Sequence, residues 1–149
     1  MHAVHHLHER LIIVNMTYNK PLPVIDPLTK PYWDHALEHR LSVQHCRDCG
    51  DRHFPPCDVC PACLSDHQDW EVVSGRATLL SWVRFHRAYW DGYRGELPYD
   101  VCLVRLEEGP IILSNFGGDV PDNARMGLPM RAVFKDVTER VALVNFIPA

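Results

Sequence analysis

The sequence predicts a mainly β protein built from an N-terminal helical arm, a cysteine-bound ribbon and a C-terminal five-stranded barrel. Three observations carry this reading. Cys46, Cys49, Cys60 and Cys63 form two Cys-x-x-Cys pairs; a proline-rich stretch and a short helical stripe precede them; and five segments of alternating or continuous apolar residues follow Gly75. At 149 residues, 46% hydrophobic and 23% charged, the chain is long enough for one substantial core, so the ribbon is expected to be a satellite of the barrel. The expected boundaries are a leader at 1–16, an arm and helix at 17–40, the ribbon at 41–74 and the barrel at 75–149.

The leader holds His2, His5, His6 and His8 at spacings that fit no regular metal site, so it is read as disordered, with Met16 as an alternative start. Its only apolar run, Leu11 to Val14, follows Glu9 and Arg10 and makes no export signal. Pro21, Pro23, Pro27 and Pro31 then describe an extended arm. Thr29 is the expected helix N-cap, Pro31 lies in the first turn, and Tyr32, Trp33, Ala36 and Leu37 form an apolar stripe over about 30–40. Asp34, His35, Glu38 and His39 are read as its solvated face.

Two residues between cysteines allow a tight knuckle with both sulfurs on one side. Two knuckles supply four thiolates and close a tetrahedron around one structural zinc, leaving no position for water or substrate. Short strands are expected at 41–45, 52–54 and 70–73. Such a module is expected to bury little apolar surface and to draw its folding free energy from zinc, on the order of 10 kcal/mol in isolated zinc peptides. Paired Cys-x-x-Cys knuckles without an export signal point to metal in a reducing cytoplasm.

From Gly75 the pattern is β, with strands at 77–87, 99–106, 111–116, 129–137 and 141–147 and one helical turn at 121–126. Five strands, the first long enough to bend through both halves, fit an OB barrel. Cys102 lies mid-strand among Val101, Leu103 and Val104 and is read as a small buried hydrophobe. Cys57 is read as a spare surface thiol, although Cys57, Cys60, Cys63 and His67 imitate an iron–sulfur run.

Residues 76–94 interleave Arg76, Arg84, Arg87 and Arg94 with Trp82, Phe85, Tyr89, Trp90 and Tyr93, against the single acid Asp91. Guanidinium groups pair with phosphates and aromatic rings stack on bases, which suits the adenine end of CoA, a single nucleic-acid strand or a protein partner. Trp82 and Phe85 are alternatively barrel core. A net charge of −4, made about two units more negative by four thiolates on one zinc, argues against nucleic acid as the main partner. No serine, cysteine or histidine stands in a recognised catalytic motif, so no catalytic residue is assigned. No stretch approaches the ~20 apolar residues that cross a bilayer.

From Pro31 to Ala149 the chain resembles the DUF35 family, rubredoxin-like zinc ribbons fused to OB-folds and associated with acyl-CoA. The residues that carry the resemblance are Pro31-Tyr32-Trp33, His45-Cys46-Arg47-Asp48-Cys49-Gly50, Phe54-Pro55-Pro56, Cys60-Pro61-Ala62-Cys63 and Val73-Ser74-Gly75-Arg76-Ala77-Thr78. It continues through Leu97-Pro98-Tyr99, Val104-Arg105-Leu106-Glu107-Glu108-Gly109-Pro110 and Gly127-Leu128-Pro129-Met130, and departs at Cys57, where arginine is more typical. The resemblance implies a non-catalytic accessory subunit beside a thiolase-like enzyme, an aldolase acting on steroid side chains, or a hydratase. Arg84, Arg87, Trp90, Tyr93 and Tyr99 are the expected acyl-CoA or partner contacts, and pairing with a second copy stays open.

Overall fold

A computed structural model describes residues 18–149; the expected leader at 1–16 lies outside the described residues. In order come α1 (Lys30–Leu37), the ribbon strands β1 (Ser42–Cys46), β2 (Arg52–His53) and β3 (Gln68–Val72), and the barrel strands β4 (Arg76–Phe85), β5 (Tyr99–Leu106), β6 (Ile111–Ser114), β7 (Pro129–Asp136) and β8 (Ala142–Pro148). A 3-10 helix at Asp91–Glu96 lies between β4 and β5. No helix of the described residues is long and apolar enough to cross a membrane.

Helix α1 starts differently from the expectation. The Thr29 side chain makes no cap to the helix; instead Asp26 Oδ1 accepts from the Thr29 amide at 2.8 Å while Thr29 Oγ1 accepts from the Asp26 amide at 3.2 Å. This reciprocal pair is a capping box one turn earlier, with Pro27 immediately after the cap. Hydrogen bonds from the Thr29 amide and hydroxyl hold the Asp26 carboxyl below its usual range. At the other end His39 adopts φ +57°, its amide donates to Ala36 (2.9 Å) and the Arg40 amide donates to His35 (2.9 Å), which closes a Schellman turn without glycine. His39 lies on the exposed face, as expected, yet it stacks on Phe134 at 5.4 Å and its Nε2 lies 2.9 Å from an Asp136 oxygen, tying the end of the helix to β7.

The ribbon is the antiparallel sheet β2-β1-β3 and the barrel the sheet β6-β5-β4-β7-β8. Strand β4 serves both halves of the barrel through a bulge between Leu79 and Ser81. There the Leu79 backbone turns away from β5 and pairs with the loop before β7, Leu79 N to Leu128 O at 2.9 Å and Gly127 N to Leu79 O at 2.8 Å. That loop consists of two turns and carries no helical turn at 121–126, its backbone being engaged by β4. The edges meet where Phe116 pairs in parallel with Phe146, so Phe116 closes the barrel rather than extending β6. Closure needs a bare backbone at Gly117, where a Cβ would stand 2.6 Å from Ile147 Cγ2 and 2.8 Å from Val133 Cγ2.

The core overturns the satellite expectation. Tyr32 of the helix and Leu41 and Val43 of the ribbon belong to the same buried cluster as Leu79, Val104, Met130 and Phe146 of the barrel. Strand β1 is buried on both faces except at His45, with α1 packed against it and Val43 in the cluster shared with the barrel. Trp82 and Phe85 stay outside this cluster, Trp82 being 37% exposed. Val43→Ala should therefore cost about 2 kcal/mol and lower the unfolding midpoint of ribbon and barrel together. Urea titrations read by tryptophan fluorescence and by zinc release should shift in parallel; a barrel transition that stays put would show separate cores.

Candidate metal centre

The two knuckles are built by the same local hydrogen bonds. The Gly50 amide donates to the Cys46 carbonyl (2.9 Å) as the Leu64 amide does to the Cys60 carbonyl (2.8 Å), and the Cys46 and Cys60 amides donate to Asp51 and Ser65 carbonyls, each at 2.8 Å. Both turns put the residue after the second cysteine in left-handed backbone, Gly50 at φ +78° and Leu64 at φ +64°. Glycine takes that conformation freely, whereas leucine pays with a crowded Cβ, and its side chain is 75% exposed.

The knuckles place all four sulfurs within 4.8 Å of one another, with Cys46–Cys63 and Cys49–Cys60 each at 3.6 Å. Zinc–sulfur bonds of about 2.3 Å in a tetrahedron require sulfurs roughly 3.8 Å apart, so the cage fits the ion. The Cys49 amide lowers the Cys46 thiol, whereas the Cys49 and Cys63 thiols, although the Asp51 and Ser65 amides act to lower them, are raised by desolvation and by contact with the other sulfurs, a crowding that a bound divalent cation would relieve. All four cysteines are thus positioned to bind one metal ion, and the ribbon is a structural zinc module.

A polar shell braces the cage. Ser65 Oγ donates to Asp48 Oδ2 at 2.5 Å, and His67 Nδ1 lies 3.0 Å from the same carboxylate, linking one knuckle to the segment after the other. His67 is thereby engaged by Asp48, which removes it from the iron–sulfur arrangement. On the buried side Gln44 Oε1 accepts from the Cys57 amide at 2.6 Å and lies 3.1 Å from His53 Nε2, while His53 Nδ1 lies 3.2 Å from Asp51. Cys57 is half-buried and its sulfur contacts the Pro55 carbonyl at 3.4 Å, outside the cage. Cys102 is fully buried in the barrel, and burial pushes its thiol up to about 11, as suits an unreactive core residue.

The arginine and aromatic stretch divides. Tyr93 and Tyr99 pack at 4.9 Å, Phe85 stacks on Tyr99 at 5.1 Å, and Trp90 lies 6.4 Å from Tyr93. Lys20 of the arm joins them, 2.5 Å from Glu96 and 5.1 Å from the Tyr93 ring centre. The arginines are mostly engaged elsewhere. Arg84 forks onto Asp100 at 2.9 and 3.0 Å, Arg76 meets Glu107, Arg94 meets Asp91, and Arg87 lies over Tyr89 at 5.5 Å. Spacing within residues 76–94 does not contain the Arg84 and Arg76 pairs, because Asp100 and Glu107 come from the neighbouring strand and its turn, whereas Arg94 and Asp91 are an i, i+3 pair inside the stretch. The left-handed Leu64 and the cap at Asp26 have only faint signals in the sequence, the repeat Cys-x-x-Cys-Gly, Cys-x-x-Cys-Leu and the pair Asp26-Pro27.

Fold and site together define a four-cysteine zinc ribbon joined to an OB barrel. Two family descriptions fit these halves: "ChsH2, rubredoxin-like zinc ribbon domain" over residues 33–71 and "ChsH2, C-terminal OB-fold domain" over residues 70–135. A DUF35 domain-containing scaffold protein of Pyrococcus furiosus is 30% identical over 109 residues, 72% of this chain and 79% of that protein. The chain belongs to the DUF35 family. A probable enoyl-CoA hydratase alpha subunit of Thermomonospora curvata is 30% identical over 132 residues, 87% of this chain, and this chain spans only 40% of its length. Among solved structures, a chain of the Ltp2–ChsH2(DUF35) aldolase superposes with a TM-score of 0.74 at 28% identity, covering 85% of this chain and 98% of that one.

Replacing Cys49 with serine should abolish stoichiometric zinc, whereas Cys57→Ser should retain one zinc per chain by atomic absorption; loss of zinc from the Cys57 variant would make that thiol a ligand. Leu64→Gly should stabilise the zinc-loaded protein by about 1 kcal/mol by relieving the left-handed strain, seen as a higher thermal midpoint.

Proposed function

We propose that this chain is a non-catalytic accessory subunit of an acyl-CoA enzyme of thiolase, aldolase or hydratase type. The observation that carries this is the similarity over 98% of a chain in the Ltp2–ChsH2(DUF35) aldolase, an assembly named for two components. The similarity to a hydratase alpha subunit supports the same reading from a second enzyme class.

The chemistry of the chain is consistent with that role. Four thiolates fill the coordination sphere of the zinc, so the metal offers neither an activated water nor a Lewis-acid position. The surface offered to a partner is the loop between β4 and β5, where Tyr89 and Trp90 are 61% and 58% exposed beside Tyr93 and Tyr99. Exposed tyrosine and tryptophan held by packing are the side chains that dominate interface energetics. In this reading the barrel and that loop complete the wall of the partner's substrate channel and help hold the acyl-CoA, adding binding energy and orientation without touching the reacting bond. The setting is the cytoplasm, where thiolates stay reduced. The single-strand nucleic-acid alternative loses support because Arg76, Arg84 and Arg94 are already paired with acids.

The isolated, zinc-loaded chain should show no thiolysis, retro-aldol cleavage or hydration of acyl-CoA, and turnover by it alone would overturn the proposal. Co-purification from its host should yield a CoA enzyme. Trp90→Ala should weaken that assembly by about 2 kcal/mol, roughly thirtyfold in Kd by calorimetry, with zinc content unchanged.

A further inference from the structure

We propose that strand β4 pairs edge to edge with the β4 of a second copy of this chain, so that two barrels share one continuous sheet across a two-fold axis at Val83. Only the first half of β4 has a neighbour on each side. Arg76, Ala77 and Thr78 pair with β7, and Leu79 bonds the loop before β7. From Ser81 to Phe85 the strand pairs with β5 alone, and among the described residues no backbone hydrogen bond reaches its other side.

The ladder fixes which groups that side offers. The Asp100 carbonyl accepts from Asn115 Nδ2 at 2.7 Å, which turns the Asp100 backbone toward the β6 side and away from its register partner Arg84. Backbone groups alternate sides along an antiparallel strand, so Val101 and Leu103 bond Val83 and Ser81, while the amides and carbonyls of Trp82 and Arg84 point outward. Exposed edges are usually guarded by lysine, proline or a bulge. Ser81-Trp82-Val83-Arg84-Phe85 has no lysine or proline, the bulge precedes it, and Trp82 and Val83 are 37% and 55% exposed. Its one charge, Arg84, is forked onto Asp100 of its own chain.

The stretch is complementary to itself. In an antiparallel pair centred on Val83, Trp82 of each copy stands opposite Arg84 of the other, and these hydrogen-bonded positions exchange their outward amides and carbonyls in full. Val83 meets Val83 of the second copy at the closer, non-hydrogen-bonded position, a β-branched apolar pair of the kind that stabilises sheets. Each guanidinium lies beside an indole ring. Centring on Arg84 would set two guanidiniums opposite each other, and centring on Trp82 would run the pairing into the bulge at Leu79 to Ser81. The contact is isologous and closes, because neither copy keeps an open β4 edge. It goes beyond the accessory role and does not require it, since it is made by the strand and not by the loop that carries Tyr89 and Trp90.

The test is sedimentation of the full-length, zinc-loaded protein over a concentration series, where a monomer–dimer equilibrium is expected. Val83→Lys and Val83→Glu should each weaken the dimer at least about tenfold, since each sets like charges face to face on the axis. An equimolar mixture of the two variants should restore it, because the facing charges are then opposite. Leu113→Lys, at an equally apolar position that is 69% exposed on the outer face of β6, should leave the dimer unchanged. Zinc content and circular dichroism verify that each variant is folded. A chain that stays monomeric across the series overturns the proposal, as does wild-type dimerisation by Val83→Lys or a mixture that stays monomeric. So does a dimer lost in Leu113→Lys alone, which assigns association to the outer sheet face. A monomeric chain whose Val83→Lys variant no longer co-purifies with a CoA enzyme gives the edge to a strand of that enzyme and overturns pairing with a second copy, while leaving the accessory role standing.

Discussion

The tetrahedral cage of four sulfurs is the constraint on which the rest of the structure depends. Each knuckle is a turn of few residues with one left-handed position, and neither would persist without the ion that joins them. Once joined, they fix the ends of β1, and β1 is the strand that carries Val43 into the common core. The cage therefore acts beyond the ribbon. By holding β1 it sets where α1 lies, and through Tyr32 and His39 it sets how the arm meets the barrel.

Burial and electrostatics divide the surface into unlike regions. At the far end of β4 aromatic rings gather around Tyr99, with nearby arginines satisfied by acids, so the region presents rings more than charge. At the near end Arg40, Arg76 and Arg131 line a cleft together with the apolar Leu41, Val73, Ala132 and Phe134. The same strand thus links a surface rich in aromatic rings with one rich in arginine. The closed zinc site lies apart from both and serves as a strut.

Much of this was legible in the chain. The knuckles, the element order, the strand count and the structural character of the metal follow from local patterns: cysteine spacing, alternation, and turn residues such as Gly109-Pro110. These are short-range properties, and a single strand or turn expresses them wherever it lies. Cys102 as a buried hydrophobe was readable from the apolar run around it, Val101, Leu103 and Val104, although its cross-strand neighbours, Trp82 and Ser114, are distant in sequence.

What the sequence alone determined is therefore the parts and the ion that binds them; what only the tertiary structure decided is which parts share a core and which charges remain free. Val43 joins the barrel core, Arg84 is quenched by Asp100, and Arg131 faces Arg76 because of pairings between segments far apart in the chain. Burial and ion pairing act over a few ångströms of space, and spacing along the chain does not encode that distance once the backbone folds back on itself.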